Sequence, residues 1–82
     1  MFMRIKEIYD ITKQEISNGQ DFYEYIPIMY GLLKDEDYEA LEGIRLAISD
    51  YGMQLEIPKN DEEMQECLKF IQAQRDKYLS KP

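Results

Sequence analysis

Histidine and tryptophan are both absent from these 82 residues, and cysteine occurs once, at Cys67. Without histidine the commonest general base is missing, together with the Ser-His and Cys-His pairs of nucleophilic catalysis. The Glu-x-x-His pairs of a di-metal carboxylate bundle are excluded for the same reason. A single thiol forms no internal disulfide and fits a reducing compartment. The four glycines, Gly19, Gly31, Gly43 and Gly52, stand apart, so no glycine-rich phosphate loop can be drawn. No apolar run approaches the roughly 18–20 residues needed to span a bilayer. The opening Met1-Phe2-Met3-Arg4-Ile5-Lys6-Glu7 meets charge at once and has no apolar secretion core. The expectation is a cytoplasmic protein without a membrane partner.

Dense positive charge is also lacking. Ten Lys and Arg are scattered among seventeen Asp and Glu, for a formal net charge of −7. Phosphate backbones and anionic lipid surfaces are held by clustered cations, so neither direct nucleic-acid contact nor anionic membrane binding is expected.

What the chain does have is acid concentrated beside tyrosine. Residues 15–44 hold eight acids and one base, a sum of −7, while residues 1–14 sum to +1 and residues 45–82 to −1. The same stretch carries five of the ten aromatics: Phe22, Tyr23, Tyr25, Tyr30 and Tyr38. Acid interleaved with tyrosine suggests a surface that meets something basic.

An apolar fraction of 44% belongs to an ordinary globular chain, and the length suits one domain spanning residues 1–82. A core this small leaves modest stability, which a partner chain would raise. Apolar spacing is helical almost throughout. A first helix is expected over about 4–17, with Phe2, Ile5, Ile8, Tyr9, Thr12 and Ile16 on one face and Asn18-Gly19 as its stop. A second is expected over 21–34. Asp21 and Glu24 have capping-box spacing, and Pro27 either kinks the helix or splits it, with a short turn before a helix starting near the proline. Ile26, Met29, Leu32 and Leu33 are its buried set.

A third helix is expected over 35–51, its first turn holding Asp35, Glu36 and Asp37 where the dipole favours acid. Leu41, Ile44, Ile48 and Tyr51 form its apolar face, edged by the small residues Ala40, Gly43 and Ala47, which would admit a second helix closely. Residues 53–57 alternate like a strand but stand alone, and the segment 53–59 is read as an extended connector with Leu55 and Ile57 turned inward. The fourth helix, 61–79, is capped by Asn60 with Glu63 three residues on. Its face holds Met64, Cys67, Leu68, Ile71, Arg75, Tyr78 and Leu79, with Lys77 and Lys81 near the end that favours cations. The fold class is therefore all-α, a compact bundle of four helices.

Chemistry-bearing motifs fail one by one. Asp35, Asp37 and Glu39 match the first ligand positions of a calcium loop, but Ala40 stands where glycine is required and Leu46 where the closing glutamate belongs. Four short helices leave little room for a glycosidase cleft between paired carboxylates. Cys67, on the apolar face of the fourth helix, reads as packing rather than as a nucleophile. No enzyme, metal or cofactor is expected.

Binding remains. On the third helix Glu39, Glu42, Leu46 and Asp50 fall opposite the apolar face, placing an exposed leucine among acids. Ile11 and Phe70 lie off the apolar faces of their helices. Phe22, Tyr23, Glu24 and Tyr25 cannot all turn inward from one helical turn, so at least one of the three aromatics is expected to be exposed. Tyrosine gives large contact area with few rotors and is enriched in interfaces. The candidate partner-binding residues are thus Phe22, Tyr23, Glu24, Tyr25, Glu39, Glu42, Leu46 and Asp50. The function expected is that of a small acidic adaptor or inhibitor that binds a basic protein. The alternative is an assembly subunit acting as a homo-oligomer, with the Ala40-Gly43-Ala47 edge, Phe70 or residues 53–57 paired across a two-fold axis.

Overall fold

The computed structural model describes residues 2–80, Phe2 by its backbone alone. The places expected for the Phe2 side chain and for Lys81 lie outside the described residues. Four α-helices follow in order: α1 (Phe2–Ser17), α2 (Tyr25–Lys34), α3 (Tyr38–Asp50) and α4 (Asp61–Leu79), with a 3-10 turn (Phe22–Glu24) leading into α2. The all-helical four-helix architecture matches the spacing of apolar residues. Among the described residues no strand forms, and residues 53–58 run as an extended connector. Among the described residues no helix is long and apolar enough to cross a membrane.

Local chemistry sets the helix ends. Asp21 accepts a hydrogen bond from the Tyr23 N–H (2.9 Å) and starts the 3-10 turn. The helix proper begins at Tyr25, so Pro27 falls in its first turn, where a missing N–H removes no intrahelical bond. The proline therefore splits the segment rather than kinking it. Asn60 accepts from the Glu63 N–H (2.9 Å), and Glu63 reaches back to the Lys59 N–H (2.7 Å), one residue short of a reciprocal capping box.

The start of α3 corrects the expectation. Asp35 and Glu36 are not in its first turn; they close α2. The Asp37 N–H donates to Leu32 O (2.9 Å) and the Glu36 N–H to Leu33 O (3.1 Å), a Schellman pattern. Glu36 sits at φ 58, in the left-handed region where glycine is the usual occupant. The same pattern closes α1 around Gly19, at φ 97, through Gln20 N–H to Glu15 O and Gly19 N–H to Ile16 O. Only Asp37 serves α3, as its N-cap. The acid run resembles a helix start because nothing in it resembles the glycine that usually ends one.

Ile16, Tyr25, Met29, Ile44 and Ile48 form the centre of the core, joined by Ile8, Phe22, Leu32, Leu41, Met53, Leu55 and Ile57. Leu55 and Ile57 are thus inward, as their alternation required. The principal packing is α1 on α3. Ala40, Gly43 and Ala47 are buried in it, and a Cβ at Gly43 would lie 2.8 Å from Ile5 O and 2.9 Å from the Ile8 side chain. The small-residue edge is therefore occupied from within the chain and is not open to a second copy.

α4 departs furthest from expectation. It packs chiefly on α2. Met64 and Ile71 are buried and Cys67 half-buried, but Leu68 is exposed and Tyr78 and Leu79 are 77% and 78% exposed. Sixteen of its nineteen residues are exposed. The molecule is accordingly elongated, 45 × 30 × 17 Å with a radius of gyration of 13.5 Å, against about 12 Å for a compact chain of this length.

Candidate functional site

The four residues 22–25 fan out in four directions. The 3-10 turn rotates successive side chains by roughly 120°, since it closes in three residues. Phe22 turns to α3 and meets Tyr51 edge to face, ring centroids 5.7 Å apart. Tyr23 turns to α4 and meets Phe70 the same way, at 5.4 Å. Glu24 bonds Arg75 of α4 and Gln20. Tyr25 enters the core at 2% exposure, its hydroxyl donating to the Glu15 carboxylate (2.6 Å). Burial first, and then that carboxylate, hold the Tyr25 phenol well above its ordinary pKa. Tyr25 is therefore a core residue and not a contact residue, and Phe22 and Tyr23 are half-buried rather than fully exposed.

The α3 set is elsewhere. Leu46 is exposed, at 36%, as its helical phase required, and so are Ile11 and Phe70. The acids around Leu46 are largely engaged within the chain. Asp50 accepts from the Tyr9 hydroxyl and from Lys13 Nζ (3.4 Å), and those two donors draw its pKa down. Lys13 also lies over the Tyr51 ring, 4.7 Å from its centroid. Glu42 takes Arg45 in a two-pronged bond that lowers the carboxylate pKa. Glu39 is partly covered, with Oε2 buried and unpaired. The structure does not unite this set with Tyr23 and Glu24: Asp50 braces α3 against α1, whereas Tyr23 and Glu24 face α4.

Pairing also changes the charge pattern. Three of the eight acids of residues 15–44 draw a cation from outside that stretch: Glu24 takes Arg75, Asp37 takes Arg4 and Glu42 takes Arg45. The Arg4–Asp37 contact is bidentate, 2.6 and 2.7 Å, and depresses the aspartate while raising the guanidinium. Two of these pairs, Glu24–Arg75 and Asp37–Arg4, join separate elements, while Glu42–Arg45 lies within α3.

A hollow of about 220 Å³ lies between α2, α3 and the connector, and the two larger ones lie along α4. A groove of about 700 Å³ runs between α4, the end of the connector and the start of α2. Its apolar wall is Tyr23, Ile26, Ile57, Cys67 and Phe70, and Glu56, Glu63 and Glu66 stand at its rim with Lys59. Neither Glu56 nor Glu66 makes an ion pair among the described residues. A second hollow of about 520 Å³ lies beyond Tyr23, toward the end of α4, lined by Asp21, Arg75, Lys77, Tyr78 and Leu79 among others. Tyr23 separates an acidic apolar groove from a basic one. Of the groove residues only Tyr23 is among the sequence candidates for partner binding; helical spacing sets Phe70 off the apolar face between Glu63 and Glu66, and Glu56 has no sequence signal. The three rim glutamates lie outside the dense stretch, and only folding brings the connector beside α4.

Among the described residues no group of three or more side chains suited to binding a metal ion converges. Comparison with protein-family models, with curated proteins and with solved structures finds no match to this chain.

Proposed function

We propose that this chain is a non-enzymatic protein-interaction module that takes a basic, partly apolar segment of a protein into the Tyr23–Phe70 groove. The observation that carries the reading is the groove itself, an apolar wall with a rim of carboxylates that carry no cation of their own. Apolar wall supplies area to bury; the rim selects for Lys and Arg and rejects acidic segments. The edge-to-face Tyr23–Phe70 pair gives a firm wall, because each ring limits the other's rotation. A free half-buried thiol in that wall suits a reducing compartment and hence a cytoplasmic setting.

The test uses a synthetic peptide of alternating lysine and leucine with one tryptophan, whose indole is the only one present because the chain has none. Emission of that indole is expected to shift blue on addition of the protein and to lose the shift in high salt. Phe70→Ala and the pair Glu56→Gln, Glu66→Gln are each expected to weaken binding, and the glutamate-for-lysine version of the peptide is expected not to bind. Equal binding of the acidic and basic peptides would sink the proposal.

A further inference from the structure

We infer that the natural occupant of this groove includes a second copy of the chain, through an antiparallel pairing of α4 with its mate. The inference rests on the groove reading above and names its partner. Charge along α4 is divided: residues 61–66 hold four acids and no base, and residues 67–79 hold Lys69, Arg75 and Lys77 with one acid, Asp76. A helix divided in this way is complementary to itself when antiparallel, which is the geometry of an isologous two-fold contact.

The register follows from helical spacing. Glu66 and Lys77 are eleven residues, or about three turns, apart and so lie on one side of α4. An antiparallel mate centred between them sets Lys77 of each copy beside Glu66 of the other. Phe70 and Ala73 fall between them on that side, one a large exposed ring and the other small enough to admit it. Neither Glu66 nor Lys77 has an ion-pair partner among the described residues. Tyr78 and Leu79, more than three-quarters exposed, lie more than a quarter turn away from that side and outside the contact. The last turns of α4, residues 72–79, bury nothing in the single chain, and an isolated helix of that length is marginal in water. A mate supplies the missing cover. The contact asks for about 800 Å² per copy, a standard interface, out of an accessible surface of 6106 Å².

Sedimentation equilibrium of the full chain at high micromolar concentration is expected to give the mass of two chains. Lys77→Glu and Glu66→Lys are each expected to give one chain, with dissociation constants raised at least about tenfold by like charges facing across the axis. Both side chains are exposed, so circular dichroism should show each variant folded, with helix lost at most in the last turns of α4. An equimolar mixture of the two variants is expected to return to the mass of two chains, since both contacts are then between opposite charges. A parent that stays at one chain overturns the inference, as does a dimer indifferent to Lys77→Glu. The lysine-leucine peptide separates this from the groove reading. Glu66-dependent peptide binding to a single chain leaves the groove standing and the pairing refuted; no peptide binding by a single chain removes both. If the pairing is right, the peptide competes and lowers the mass toward one chain.

Discussion

Two glycines inside helices are expected to respond to the same substitution with opposite signs. Gly43 lies in α3 at its closest approach to α1. An added Cβ would sit 2.8 Å from the Ile5 carbonyl oxygen and 2.9 Å from Ile8 Cβ and Cγ2. Ordinary carbon contacts are about 3.5–4.0 Å, so α1 must withdraw by roughly 0.6–1 Å. The nearest atom is backbone, and its neighbours are a β-branched side chain near its own backbone, so no flexible tip can move aside. Overpacking of this kind costs about 1–3 kcal/mol, set against a helix-propensity gain of about 1 kcal/mol. The difference, about 0–2 kcal/mol with its centre near 1, is the expected loss from Gly43→Ala, and a loss of about 1 kcal/mol lowers Tm by roughly 4–8 °C in a domain of this size. Gly31, in α2, has nothing within 4 Å of its added Cβ and is exposed. Gly31→Ala keeps the propensity gain alone and is expected to stabilise by about 0.5–1 kcal/mol. Thermal unfolding followed at 222 nm, a standard helix signal, measures both. A Gly43→Ala variant as stable as the parent would show that α1 and α3 do not approach as described, and would refute the packing argument.

Three further outcomes are expected. Glu36→Gly should raise stability by about 1 kcal/mol, because a left-handed residue without Cβ relieves the cost at the α2 stop; urea unfolding checks it, and a loss would mean that the Glu36 side chain contributes something the backbone geometry conceals. Asn60→Ala should cost about 1 kcal/mol through the lost cap on Glu63, with hydrogen exchange at Glu62 to Met64 rising before the rest of the chain. Asp37, Asp50, Asp61 and Glu42 have pKa values drawn down in the fold by hydrogen-bonding partners, foremost Arg4, Tyr9, Tyr30 and Arg45. A depressed folded value gives stability that is complete above the unfolded pKa of about 4 and is lost as pH falls through the folded value. Tyr25 runs the other way: its raised pKa gives stability complete below about pH 10 and lost as pH climbs through the folded value. A chemical-denaturation series should thus find stability falling at both ends, and a flat profile between pH 4 and 2 would contradict the pairing of those acids.

The sequence was most legible where the signal is local. Asn60 caps α4 because a short side-chain oxygen reaches an N–H three residues on, and that reach is visible in spacing alone. Pro27 narrowed the second segment to a kink or a split, and the fold takes the split, where the missing donor is harmless. Leu46, Phe70 and Ile11 were legible as exposed because they break the 3.6-residue phase. The α2 stop at Glu36 was illegible, since left-handed backbone at a glutamate carries no signature in residue type. The engagement of Asp50 was illegible because its partners, Tyr9 and Lys13, lie more than thirty residues away in sequence, whereas the partner of Glu42, Arg45, stands only three residues on.

The chain by itself determined four helices, the extended connector, most of their ends and an acidic, tyrosine-rich middle, because hydrogen-bond closure and apolar periodicity act over three or four residues. Tertiary structure alone decided which apolar stripes are covered and which acids stay free. α1 and α3 take the small-residue contact and make it the closest in the molecule. α4, with an equally regular stripe, is left half uncovered, since a core of this size has no further surface to offer it. The groove carboxylates Glu56, Glu63 and Glu66 consequently come from outside the stretch where the sequence concentrates acid, and meet where the connector and α4 lie beside Tyr23 and Phe70.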